Sequence, residues 1–290
     1  GAKPIIYILN AGLKNLHRKE VELAKDLIVE LSVISLNLDK NDIGHLIVLH
    51  DVSREKIVER MKTEFVSLAA HQLRTPLSII KWSMSMLKKG DFGKLNKKQG
   101  EVVVNTFQNN ERLISLVNDL LSVTRIEEGR YLYEVAMTNI KEIVTLIIND
   151  NKNDIKKRKF NVDFKEPDNM PQMMIDEEKI RLVVQNLVDN AIKYSREGGK
   201  IIVALTNDGK NIQLKVQDFG IGIPKDQQDK IFEKFSRADN AAKINTTGSG
   251  LGLFLSKNII EAHGGKIWFE SEENVGTSFY FSLPIKKIGV

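Results

Sequence analysis

The sequence predicts a multidomain α+β protein: a short β segment, an antiparallel helical hairpin that pairs into a dimeric four-helix bundle, and an α/β sandwich. Three observations lead there. β-Branched and alternating runs fill residues 1–53. An apolar seam with spacings of three and four runs through residues 54–89. After Arg130, strand and helix patterns alternate around three glycine clusters. A length of 290 residues suits two or three domains, with boundaries expected at 1–53, 54–130 and 131–290.

In the first segment, "KEVELAK", "LIVELSVISLNLD" and "GHLIVLHDV" read as strands after a short helical start. "KNDIG" is the turn signal between the last two. Some fifty residues make a small core, and a dimerising β-hairpin piece is one reading of it.

The hairpin follows. Val58, Met61, Phe65, Leu68, Gln72, Thr75, Ile79, Trp82 and Met86 trace a heptad seam. Gly90 and Gly93 break it. A second helix is expected from about Asn96 to Glu127, with Val103, Leu113, Val117 and Leu120 on one face and Gly129 as its stop. Two helices cannot bury so wide a stripe, so a second copy completes the bundle. Pro76 has no N–H, and the carbonyl of Gln72 loses its helical donor. A bend is therefore expected within one turn of His71. There the polar stripe His71, Arg74, Thr75, Ser78 interrupts the apolar pattern.

In the last segment, "YLYEVAMTNI", "KFNVDFKE", "GKIIVALTND", "NIQLKVQDFG", "GKIWFESEE" and "GTSFYFSLPI" read as strands, mostly antiparallel. "KEIVTLIINDNKNDIKKR" reads as one helix, and "DEEKIRLVVQNLVDNAIKYS" as another starting near Asp176.

Composition excludes several functions. Cysteine is absent, which removes disulfides, thiolate metal sites and Cys nucleophiles. A net charge of +5, from 43 basic and 38 acidic residues, does not point to direct nucleic-acid binding. No apolar run approaches about 18 residues, so a cytoplasmic location is expected for this stretch of chain. Gly1 and Ala2 without an initiating Met read as the edge of a longer protein, whose membrane segments, if any, lie upstream.

The glycine clusters are "DFGIGIP", "TTGSGLGLFLS" and "VGTSFYF". A glycine run that opens a helix exposes backbone N–H groups to anions. "GSGLGL" lacks the βαβ setting of a dinucleotide site and the Lys-Ser or Lys-Thr of a P-loop. Taken singly, each cluster is equally a turn. Asn186 and Asn190, four apart, share a face of an otherwise apolar helix. An amide oxygen suits Mg²⁺, which keeps most of its waters and shares phosphate ligands.

Together, "QNLVDNAIKYS", "DFGIGIP", "IFEKFSRAD", "GSGLGLFLS" and "GTSF" resemble the N, G1, F, G2 and G3 boxes of two-component sensor histidine kinases, in order. "FVSLAAHQLRTPLSII" resembles the phosphoacceptor box of the same family, and the first 53 residues resemble the second half of a PAS sensor domain. The resemblance covers about residues 54–290 and implies a HisKA-type hairpin followed by an ATP-binding domain of the Bergerat type.

It implies the following roles. His71 is the phosphoacceptor, Gln72 adjoins it, and Thr75 orients water for a phosphatase reaction. Asn186 and Asn190 serve the catalytic centre and Mg²⁺, with Asn190 the stronger ligand. Lys193 and Tyr194 lie near the phosphates. Asp218 accepts the adenine amino group, and Gly220 and Gly222 let the backbone approach the base. Phe232 and Phe235 anchor a lid at about 236–247. Gly248, Gly250 and Gly252 cover the phosphates, and Thr277 lies near the adenine. Ile223, Arg237, Leu251 and Leu253 belong to the same nucleotide-binding set. The implied cofactors are ATP and Mg²⁺. The implied partners are a second copy of the chain and the receiver domain of a response regulator. Gln72 departs from the family pattern, which places an acid after the histidine.

Rival readings have their own signatures. A clamp ATPase of the same broad fold needs a glutamate base where Asn186 stands. A scaffold that binds ATP and signals by shape fits the missing acid at position 72. A plain coiled-coil module leaves the glycine boxes unexplained.

Overall fold

The computed structural model describes residues 17–24, 27–38, 41–129, 131–167, 169–244 and 248–285. It divides into two compact units, residues 1–69 and 70–290.

The first unit holds an antiparallel meander of β1 (Lys19–Ala24), β2 (Leu27–Leu38) and β3 (Asn41–Asp51). Val29 pairs with Asp51 at one end and Leu38 with Asn41 at the other, with a register shift between Leu36 and Asn37. The ladder thus runs on into the expected turn. The short helical start expected before Lys19 lies largely outside the described residues. Ile28, Val29, Leu31, Val33 and Val52 are buried. At the sheet's exit the Asp51 carboxylate accepts from the Ser53 N–H at 2.9 Å. The Ile28 N–H donates to Ser53 Oγ at 2.9 Å. Helix α1 (Ser53–Lys89) starts from this knot and continues through Pro76, which does not end it.

In the second unit, Gly90 (φ 85°) and Gly93 (φ 106°) take the left-handed backbone that the reversal requires. Asn96 then caps α2 (Lys97–Glu127). Its side chain accepts from the Gln99 N–H, and the Gln99 side chain accepts from the Asn96 N–H, both at 2.9 Å. Ala70, Leu77, Val117, Leu120 and Leu121 form the hairpin's core. Asn110, 4% exposed, donates to the Leu77 carbonyl at 2.9 Å, and Arg74 donates to Asn118 at 2.8 Å. Leu113, expected on the inner face, is exposed; Leu121 and Thr124 are buried instead. The seam residues Met61, Phe65, Leu68, Ile79 and Trp82 are also exposed in the single chain.

The rest of the unit is an α/β sandwich. Its sheet has the order β5 (Asn161–Lys165), β7 (Lys200–Asn207), β8 (Asn211–Asp218), β10 (Gly276–Pro284), β9 (Lys266–Glu272). Only β5–β7 is parallel. A second, two-stranded sheet pairs β4 (Ala136–Thr138) with β6 (Met173–Ile175). Alternate residues such as Val203, Leu214, Phe281 and Leu283 face a core closed by α3 (Ile140–Asp150), α5 (Glu177–Tyr194) and α7 (Gly252–Ala262). Helix α5 packs against both α3 and α7. The single helix expected over 141–158 is broken at Asn151, whose side chain donates to the Ile147 carbonyl at 2.9 Å; α4 (Lys152–Lys157) follows. The strand expected over 131–140 contracts to the three residues of β4.

Asp176 caps α5, its Oδ1 accepting from the Lys179 N–H at 3.0 Å and its Oδ2 from the Glu134 N–H at 2.7 Å. Its own N–H donates to Nε2 of buried His263, whose Nδ1–H donates to the Ile259 carbonyl at 2.7 Å. These bonds fix the neutral ring as one tautomer and tie the start of α5 to the end of α7.

Candidate active site

The candidate residues fall into two sets. On α1, His71, Gln72 and Thr75 are all exposed, as is Ser78, which donates to the Arg74 carbonyl at 2.9 Å. The imidazole is open to solvent within two turns of a proline.

The second set gathers where the C-terminal end of β8, the end of α5 and the start of α7 meet. Asp218, the last residue of β8, is 6% exposed. Its Oδ1 accepts from the Gly220 N–H at 2.9 Å. Burial pushes its pKa up to about 6, against the pull of the backbone hydrogen bonds from Gly220 and Thr277. Thr277 pairs with Asp218 across the β10–β8 ladder and lies 2.8 Å, oxygen to oxygen, from Ser271. Ser271 Oγ also accepts from the Ile223 N–H at 2.9 Å. Gln228, in a 3₁₀ turn at Lys225–Lys230, donates to the carbonyls of Ile223 (3.0 Å) and Ser271 (3.1 Å).

The glycines of this turn answer to the protein's own backbone. A Cβ at Gly220 would lie 2.1 Å from the Tyr194 carbonyl oxygen, and one at Gly222 (φ 62°) 2.0 Å from that of Glu272. The Ile221 N–H donates to the Tyr194 carbonyl at 3.2 Å. The turn is therefore seated directly on the C-terminus of α5, where half-buried Tyr194 and exposed Lys193 stand. The charge of Lys193 reaches two carboxyls, Asp189 on α5 and Asp119 on α2. Burial raises both, Asp119 to about 6, and Lys193 opposes the rise in each.

The Gly248–Gly252 loop rests on the segment with the two phenylalanines. Phe235 has φ 60°, rare for a bulky residue, and its side chain is exposed. Gly250 (φ 69°) lies against it; a Cβ there would be 2.7 Å from the Phe235 carbonyl carbon. Gly248 lies beside the Arg237 guanidinium, with a Cβ position 3.3 Å from Cζ. Phe232 packs on Phe269 with ring centroids 5.8 Å apart. The expected lid contains helix α6 (Asp239–Ile244). Asn240 at its start donates to the Gly222 carbonyl at 3.0 Å; residues 245–247 lie outside the described residues. Leu251 is 2% exposed, and Leu253 packs against the core at the first turn of α7.

Asn186 and Asn190 are both half-buried on α5. Asn186 reaches across to α7, where its Nδ2 donates to Ser256 Oγ at 3.0 Å. The structure thus brings Asn186, Asn190, Lys193, Tyr194, Asp218, the three glycines of the loop and Thr277 onto neighbouring elements of one sandwich. Sequence reasoning missed Ser256, Ser271, Gln228 and Asp119. Ser256 had one legible signal, a hydroxyl four residues after Gly252. Among the described residues no group of three or more His, Cys, Asp and Glu could hold a metal ion.

Residues 61–129 match the His Kinase A (phospho-acceptor) domain, and residues 175–287 match the histidine kinase-, DNA gyrase B- and HSP90-like ATPase family. The chain is 35% identical over 262 residues to the sensor histidine kinase WalK of Bacillus subtilis (strain 168), covering 89% of this chain and 42% of that protein. It is 31% identical over 245 residues to the alginate biosynthesis sensor protein KinB of Pseudomonas aeruginosa, covering 84% and 40%. It spans about two fifths of the length of these relatives. In fold it is similar to full-length ShkA, crystallised with AMPPNP, at a TM-score of 0.64 and 24% identity over 78% of this chain and 47% of that one.

Proposed function

The chain belongs to the sensor histidine kinases, and on that premise we propose that it is an ATP-dependent protein histidine kinase that phosphorylates His71 and passes the group to an aspartate of a response regulator. Residues 54–130 act as the phosphoacceptor hairpin and 131–290 as the ATP-binding domain, after a partial PAS-like segment at 1–53. Asp218 accepts the adenine amino group. Lys193 and the backbone of the Gly248–Gly252 loop face the phosphates, at the N-terminal end of α7. Asn190 supplies an amide oxygen to Mg²⁺, which when bound neutralises phosphate charge.

A free ring nitrogen of His71 attacks the γ-phosphorus. The N–P bond forms as the bond to the β,γ-bridging oxygen breaks, and ADP leaves with that electron pair. Such transfers rest mainly on positioning and charge stabilisation. The receiver carboxylate later attacks the same phosphorus and frees the imidazole. Thr75, one turn from His71 and exposed, orients water against the phosphorylated receiver, so that hydrolysis returns the aspartate and releases phosphate. The exposed seam of α1 is covered by a second copy of the chain.

What carries this reading is the pairing, in one chain, of an exposed histidine on a hairpin helix with a match to the histidine kinase-, DNA gyrase B- and HSP90-like ATPase family, where Asn186 stands at the place that the resemblance gives to the glutamate base of a clamp ATPase. An amide cannot activate water as a base, so transfer to a protein nucleophile is favoured over hydrolysis. The test is the chemistry of the label taken from ATP. A phosphoramidate is lost in acid and survives base; an acid-stable label, or steady phosphate release without label, defeats the reading. Among the described residues no helix is long and apolar enough to cross a membrane.

A further inference from the structure

The amide of Asn186 is bonded to α7 at its nitrogen end and packed against α7 at its oxygen end. Its Nδ2 lies 3.0 Å from Ser256 Oγ, and the Ser256 hydroxyl lies 2.9 Å from the Gly252 carbonyl. A hydroxyl has one proton. The Gly252 carbonyl can only accept, so Ser256 donates there and turns a lone pair to Asn186. That settles which end of the amide faces which partner: nitrogen to Ser256, oxygen toward Gly252. The oxygen end is packed closely, because a Cβ at Gly252 would sit 2.4 Å from Asn186 Oδ1. Ser256 itself is 2% exposed, so its hydroxyl is largely shielded from water. Asn190, one turn further along α5, is not part of this arrangement.

We propose that Ser256 is a positioning residue that locks Asn186 as a strut between α5 and the first turn of α7, so that Asn186 fixes the spacing of the two walls that hold the phosphates and Asn190 alone serves the metal. The inference rests on the ATP-binding reading above and divides the labour within it. Gly252 is the third member: its missing side chain is the space that the strut occupies. The adenine end, at Asp218 and Thr277, lies on β8 and β10 and does not depend on the strut. Loss of Ser256 therefore loosens the grip on the terminal phosphate more than the grip on the base.

The experiment is calorimetry on the whole chain with ADP and with AMPPNP, each with and without Mg²⁺. The proteins are wild type, Ser256→Ala, Ser256→Thr, Asn186→Ala, Asn190→Ala and the Asn186→Ala/Ser256→Ala double variant. Ser256→Ala is expected to weaken AMPPNP about fivefold, the size of one hydrogen bond, and metal-free ADP less than about twofold. On the Asn186→Ala background the same change should do almost nothing, because the partner is gone. Asn186→Ala should lose as much AMPPNP affinity without Mg²⁺ as with it, whereas Asn190→Ala loses affinity only with Mg²⁺. Ser256→Thr, which keeps the hydroxyl, should recover the AMPPNP affinity; if the extra methyl disturbs this tight site, the double variant decides alone. Equal losses from Ser256→Ala in both backgrounds, or an Asn186→Ala loss that appears only with Mg²⁺, overturn the inference. Failure of the wild type to bind either nucleotide overturns the ATP-binding reading instead.

Discussion

The carboxylate of Asp218 and the backbone N–H of Gly220 close a two-residue turn at 2.9 Å, and that turn stands on the carbonyl of Tyr194. The buried carboxyl at the end of β8 and the C-terminus of α5 are thus joined in one corner. Because the corner is buried, it raises the Asp218 pKa to about 6.

The fold accordingly prefers the protonated carboxyl. A folded-state pKa above the unfolded one contributes stability that is fully present below about pH 4 and is lost as pH rises through about 6. Asp218→Asn should therefore stabilise the chain at about pH 7.5, by up to about 3 kcal/mol, and leave it nearly unchanged at about pH 4. Adenine nucleotide binding should weaken in the same variant by about 1–3 kcal/mol. Urea unfolding at the two pH values and calorimetry check both halves; the same stability difference at both pH values contradicts the burial argument.

Gly250 should resist substitution more than its exposure suggests. Its left-handed backbone costs a side-chain-bearing residue about 1–2 kcal/mol, and the Cβ would meet the Phe235 backbone. Gly250→Ala should raise KM for ATP while leaving the hairpin's thermal transition in place. An unchanged KM would show that the loop does not need its seat on Phe235.

Much of this corner was legible in advance because its residues obey local rules. Asp176 as the start of α5, Asn96 as the start of α2 and the alternation of β7, β8 and β10 follow from capping and period alone. Two failures have physical reasons. Tyr131 to Val135 alternates like a strand, yet the Glu134 N–H goes to the Asp176 carboxylate rather than to a neighbouring strand. Its pattern arises because Tyr131 and Tyr133 pack together, with Tyr133 edge-on to His263 at 5.3 Å. Ser256, Ser271 and Gln228 were missed: each also has a near partner in the chain, but the contacts that join them to distant elements are 70, 48 and 43 residues away, and no spacing rule reaches that far.

Position 72 tests how much the acceptor's neighbour matters. Gln72 is exposed beside His71 and carries no charge. A carboxylate there would accept the ring N–H and stabilise the positive imidazole that forms on transfer. Gln72→Glu should speed autophosphorylation by about tenfold, below the full range for a positioned base, and Gln72→Ala should slow it. Initial rates at saturating ATP are the readout; equal rates for all three residues would remove position 72 from the chemistry.

The most direct measurement is labelling from radioactive ATP with Mg²⁺, wild type against His71→Ala, with nucleotide affinity measured on both. His71 is exposed on α1 and is not part of the Asp218–Tyr194 corner, so the substitution should abolish the label and leave ADP affinity unchanged. A label of equal size on His71→Ala would contradict the account, because the phosphoryl group would then be going elsewhere.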